Sequence, residues 1–110
     1  RIACGSDFPV ESPNPFFGIH AAVTRQDAAG RPAGGWYANE AMTLKEAFRC
    51  FTLDAAYAGH QEKVAGSLEA GKWADFIVVD QDLFKMPGKD SHKTAVMQTW
   101  VAGRPVYEKK

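Results

Sequence analysis

The chain has 110 residues, 13 basic against 13 acidic side chains and a formal net charge of zero, with 45% hydrophobic and 12% aromatic residues. That length makes one domain of ordinary globular composition, and the charge balance gives no footing for a nucleic-acid or polyanion partner. No apolar stretch reaches the ~20 residues needed to cross a bilayer, so no membrane partner is expected.

The chain opens Arg1-Ile2-Ala3-Cys4-Gly5-Ser6-Asp7-Phe8-Pro9-Val10-Glu11. Residues 2–6 read as a strand that ends in Gly-Ser, with a carboxylate directly after it. Phe8-Pro9 stops any regular continuation, because proline lacks an N–H and pushes its predecessor toward extended geometry. A carboxylate at the C-terminal tip of a strand is where barrel enzymes place catalytic groups. Asp also caps turns through backbone N–H groups, and the local pattern leaves both roles open for Asp7. With no Met at residue 1 and no room for neighbouring strands before it, the chain is expected to be the end piece of a larger protein.

Asn14-Pro15 is a helix opening, a side-chain cap followed by proline at the first helical position. Phe16, Ile19, His20 and Val23 follow on one face, predicting a helix over 15–26. Residues 26–41 carry three glycines and a proline and read as a long loop whose Trp36-Tyr37 pair is expected to pack. Thr43-Leu44-Lys45-Glu46 is a capping box opening a helix with Leu44, Ala47, Phe48 and Phe51 on one face. A second short helix, Asp54–Ala58, is closed by Gly59.

The pattern then changes, and a domain junction is expected near 60–66. Gly66-Ser67-Leu68-Glu69-Ala70-Gly71-Lys72 is rich in turn residues. Phe76-Ile77-Val78-Val79, closed by Asp75 and Asp80, reads as a strand buried on both faces, and Trp73 as structural. Residues 82–93 read as polar loop with a turn at Pro87-Gly88. Thr94–Val101 and Pro105–Tyr107 form a hairpin through Ala102-Gly103.

Gly66 through Lys72 matches most of a phosphate-binding loop, but Trp73 replaces the magnesium-binding hydroxyl, Glu69 repels phosphate, and a strand follows where a helix is required. His20, His60 and His92 lack HxH or HxxxH spacing. His20 lies on an apolar helix face as a core histidine, His60 follows a helix end, and His92 is expected to be solvated. Cys4 and Cys50 form no CxxC pair and read as two reduced, buried thiols, which favours a cytoplasmic compartment.

Taken in order, Gly5-Ser6-Asp7-Phe8-Pro9-Val10, Pro15 through Arg25, Thr43 through Phe48, Gly66 through Asp80 and Thr99 through Tyr107 resemble the C-terminal end of the amidohydrolase superfamily. The branch is the one often called amidohydrolase family 3, of the YtcJ-like or N-acyl-D-amino-acid deacylase kind. The resemblance covers nearly the whole chain, and G-S-L-E-x-G-K-x-A-D before an apolar strand carries most of its specificity. It implies an α/β fold, the end of a (β/α)8 barrel over residues 1–62 and half of a small composite β-sandwich over residues 63–110. It also implies metal-dependent hydrolysis of amide or other non-peptide C–N bonds in a small-molecule substrate. Asp7 would then be both catalytic and a metal ligand, beside ligands from strands that precede Arg1. A divalent ion, Zn2+ in first place, is expected in the full-length enzyme and none in this piece alone. Ser6 either orients Asp7 or simply packs. Phe8, Val10, Phe16 and Phe17 either wall a pocket or fill the core, with Phe16 assigned to the core. A piece of this kind is expected to form a homo-oligomer or otherwise self-associate. The rival reading is a self-contained, non-catalytic β-rich binding or regulatory module descended from such an enzyme.

Overall fold

Asn14-Pro15 opens helix α1 (Pro15–Thr24): Asn14 Oδ1 accepts from the Phe16 N–H at 3.0 Å, and proline spends its missing N–H where the helix needs none. The helix stops at Arg25, whose backbone is left-handed and whose N–H closes on Ala21 O. The computed structural model describes residues 1–110. Helix α2 (Leu44–Phe51) begins with the full capping box. The Thr43 hydroxyl accepts from Glu46 N–H, and the Glu46 carboxylate accepts from Thr43 N–H at 2.8 Å. A break at Thr52 starts α3 (Leu53–Ala58), which Gly59 ends.

Phe16 and Ile19 of α1, Ala47 of α2 and Leu83 form the buried core, flanked by half-buried Val23, Leu44, Phe48, Phe51, Val79 and Val96. Phe51 lies so close over α1 that a Cβ on Gly18 would fall 2.6 Å from its ring, so glycine is what lets the two helices approach here. Leu83 comes from the connection after the first strand, which the sequence assigns to polar loop. That connection instead folds back on α1, burying Leu83, Ser91 and Thr94 and winding a 3-10 helix over Gly88–Lys93.

Three antiparallel strands, β1 (Phe76–Val79), β2 (Val96–Val101) and β3 (Arg104–Glu108), form one sheet in that order. The aspartates that bracket β1 are structural ties. Asp75 Oδ1 accepts from Ala102 N–H at 2.7 Å and Asp80 Oδ1 from Ala95 N–H at 3.0 Å, so β1 is pinned to both ends of β2. Phe76 stacks on Trp100 across the strands, with ring centroids 5.4 Å apart. Ala102 and Gly103, both at positive φ, make the expected hairpin turn. β1 is not buried on both faces: Ile77 is 43% and Val78 41% exposed, and since successive strand residues point to opposite sides, neither face of the strand is closed over along its whole length by this chain.

Three further expectations change. Residues 2–6 form no strand, since no strand of the chain lies beside them and only Cys4 N–H finds a backbone acceptor there, Cys50 O at 3.1 Å. Cys4 and Cys50 are not separate thiols. The opening segment crosses the end of α2, the two Cα atoms lie 5.1 Å apart, within the span a disulfide bridges, and the sulfurs are joined. The cysteine argument for a reducing compartment therefore falls away. Trp36 and Tyr37 do not pack into the core; they stay exposed and meet each other edge to face, with the Arg25 guanidinium over the indole. No helix is long and apolar enough to cross a membrane.

Candidate functional site

Asp7 sits in a tight turn. Its φ is +49°, its carbonyl accepts from Val10 N–H at 2.9 Å, and the turn is closed by Glu11 N–H on Ser6 O. Left-handed backbone is uncommon outside glycine but tolerated by Asp, which suits a residue whose direction is set by the turn. The side chain is exposed and belongs to none of the ion pairs of the chain. The segment behind it is anchored through Cys4–Cys50 and through Arg1, which approaches the buried Asp54 carboxylate at 4.0 Å and lies 4.1 Å over the Tyr57 ring. Arg49 completes that buried charge from α2 at 3.2 Å.

Beside the turn lies a cavity of about 540 Å3. Gly5, Ser6 and Glu11 line it from the turn, and Phe17 and His20 from α1, with Asp27 on the far side; Asp7 lies next to the lining without being part of it. Phe17 is thus a wall residue, Phe16 a core residue as expected, and Phe8 and Val10 are exposed. Asp27 closes its own loop: the Arg31 backbone N–H at 2.9 Å, aided by the Ala29 N–H and the Arg31 guanidinium, holds its carboxyl below the ordinary range.

The three histidines part company. His60 is exposed just past α3. His20 is buried, as its helical face requires, with Nε2 on Asp27 O at 3.1 Å. His92 is not a solvated loop residue. The 3-10 helix brings its Nδ1 to 3.2 Å from His20 Nδ1, with the rings edge to face. Sequence reasoning missed this pair, because 72 residues separate its members and neither has a ligand-like neighbour. Nowhere do three or more His, Cys, Asp or Glu side chains converge as a metal cluster. Of the sequence-derived site, this chain carries one residue, Asp7, which stands alone.

A model of the amidohydrolase family matches residues 1–107. The chain is 32% identical to the putative amidohydrolase YtcJ of Bacillus subtilis (strain 168) over 97% of its own length and 20% of that protein's. It is 33% identical to an N-substituted formamide deformylase of Arthrobacter pascens over 99% of the chain and 20% of the relative. The protein LONG AFTER FAR-RED 3 of Arabidopsis thaliana is 33% identical over 96% of the chain and 18% of its own length. Among solved structures, the crystal structure of an amidohydrolase from Thermotoga maritima MSB8 superposes with a TM-score of 0.53 at 24% identity, over 64% of this chain and 17% of that one. The chain therefore spans about a fifth of the length of these relatives.

Proposed function

Because this chain belongs to the amidohydrolase family, we propose that it supplies the proton-transferring carboxylate, Asp7, of a hydrolase that cleaves amide or related non-peptide C–N bonds in small molecules. In this reading residues 1–62 close a (β/α)8 barrel and residues 63–110 contribute half of a β-sandwich. The observation that carries the reading is Asp7 itself: an exposed carboxylate without an ion-pair partner, aimed by a left-handed turn directly after Gly5-Ser6 and next to a cavity.

The donor set here fits one corner of a metal centre. Asp7 Oδ is an oxygen ligand suited to a divalent ion such as Zn2+, and no second His, Cys, Asp or Glu joins it in a cluster. When bound, such an ion lowers the pKa of water toward ~7. The work of this chain is to accept a proton at Asp7 Oδ as water attacks, and to return it to the departing nitrogen. The turn fixes the carboxylate without burying it. Gly5 and Ser6 leave space beside it, and Phe17 offers an apolar wall to the substrate.

Asp7→Asn in the full-length enzyme keeps the size and removes the basic oxygen. Turnover of an N-substituted formamide, the substrate class named for one relative, is expected to fall by about 10²–10⁴, with the melting temperature unchanged. Turnover within a few-fold of wild type would overturn the assignment. The exposed apolar side chains, Ile2, Phe8, Ile77 and Val106 among them, are surfaces for the remainder of such an enzyme. The 110 residues alone are expected to self-associate through them in light scattering, and a clean monomer at high concentration would count against that covering role.

A further inference from the structure

The His20–His92 pair invites a question that the reading of Asp7 leaves untouched. His20 is 2% exposed and its Nε2 faces the Asp27 carbonyl at 3.1 Å. A carbonyl only accepts, so Nε2 carries the hydrogen, and the Nδ1 of the neutral ring holds a lone pair. That lone pair meets His92 Nδ1 at 3.2 Å. A histidine whose far N–H is held by a backbone carbonyl is the usual arrangement of a metal-ligating imidazole, because the carbonyl fixes both tautomer and ring orientation. At zinc–nitrogen distances of 2.0–2.1 Å, two ligands on a tetrahedral ion stand about 3.3 Å apart. The spacing between the two Nδ1 atoms is already that of one edge.

We propose that His20 and His92 form a two-histidine site for a borderline divalent cation, Zn2+ or its neighbours Ni2+ and Cu2+, held through both Nδ1 atoms and clamping α1 to the 3-10 helix Gly88–Lys93. The hydrogen now between the rings moves to His92 Nε2, so both imidazoles stay neutral and both Nδ1 lone pairs face the ion. His92 is half-buried, which gives the ion a way in that His20 alone lacks. The carboxylates nearest in sequence are engaged elsewhere: Asp90 is held by Lys93, and Asp27 by the backbone of its own loop and by Arg31. Water therefore fills the remaining positions, and imidazole ligands favour Zn2+, Ni2+ and Cu2+ over Mg2+ and Ca2+. The site shares no residue with Asp7.

The test is titration of the 110-residue chain with Zn2+ alone, followed by calorimetry and by the histidine ring resonances. Saturable binding of one ion is expected, moving the His20 and His92 rings and leaving His60 still, with no response to Mg2+. His92→Gln, a half-buried position that tolerates the change, should weaken binding by about tenfold or more. It should also abolish the rise in melting temperature that Zn2+ gives the wild type. His60→Gln should bind as the wild type does, and because Asp7 belongs to neither ring, failure of the catalytic reading of Asp7 would leave this result standing. Absence of saturation, binding that survives His92→Gln, or Zn2+ binding that leaves both rings unmoved would each overturn the proposal and reduce the pair to a hydrogen bond.

Discussion

The helices and the sheet of this chain carry similar apolar runs and end in different surroundings. Phe16, Ile19 and Ala47, from α1 and α2, are each at most 2% exposed, whereas Ile77 and Val78 of β1 are above 40% and every residue of β3 is exposed. A helix satisfies its own backbone and needs one partner for one stripe. A sheet has two faces and needs a layer on each. Leu83, with Val79 and Val96 packed against the core cluster, gives the sheet side one such layer; nothing in the chain supplies the other. Strand formation and strand burial are thus separate outcomes, and an unbroken Phe-Ile-Val-Val run guarantees only the first.

The sharpest way to break this contrast is a pair of substitutions. Phe16→Ala removes the largest side chain of a small core and should cost about 3–5 kcal/mol in urea unfolding. Val78→Asp places a charge on a face that this chain leaves open, and should cost the 110-residue protein, diluted until it is a monomer, no more than about 1 kcal/mol. Equal losses would show that the open face is covered after all. In a full-length amidohydrolase the same Val78→Asp change should be far more damaging if residues 63–110 share a sandwich there.

What the sequence disclosed follows the same division. Asn14-Pro15, the Thr43–Glu46 box, Gly59 and the Ala102-Gly103 turn act within a few residues, and each appears where its local chemistry puts it. The disulfide joins residues 46 apart and the histidine pair residues 72 apart, so neither leaves a local trace. The strand expected at 2–6 had the right composition but lacks neighbours, and its polar backbone had to turn to α2. Asp7 was legible as a carboxylate after Gly-Ser at a turn. Its left-handed conformation was not, and neither was the cavity at its side, which exists only where α1 and the Asp27 loop come up against the turn.

A smaller effect probes the turn between the two regions. Gly66 has φ +86°, and a Cβ there would lie 2.7 Å from Ala56 Cβ and 3.1 Å from Thr52 O. It therefore holds the glycine-rich turn against α3. Its neighbours tighten the same turn: Lys72 Nζ donates to Ser67 Oγ at 2.8 Å and pairs with Glu69 at 3.2 Å. Gly66→Ala meets both the left-handed backbone and the crowding. It should cost about 1–2 kcal/mol in thermal unfolding. Gly71, also left-handed but with open space around it, should cost less on the same change. A reversal of that order would mean that the turn does not bear on α3.

The smallest effect lies at the start of α2, and its pH dependence tests the capping chemistry directly. Thr43→Ala removes the hydroxyl that accepts from Glu46 N–H and donates to the Glu46 carboxylate, which should cost about 1 kcal/mol at neutral pH. Donation from the Thr43 hydroxyl, then from its N–H, holds the Glu46 carboxyl below its ordinary value of 4.5. A carboxyl lowered by folding adds stability that is fully present above the unfolded value and is lost as pH falls through the folded one. The gap between wild type and Thr43→Ala should therefore be full at pH 7 and narrow as the solution is acidified below about 4.5. It should not close, because the hydroxyl still accepts from the Glu46 N–H after the carboxyl has taken its proton. A gap that widens with acid would mean that the carboxylate opposes the helix start, and that α2 owes its position to packing on Phe16 and Ile19 alone.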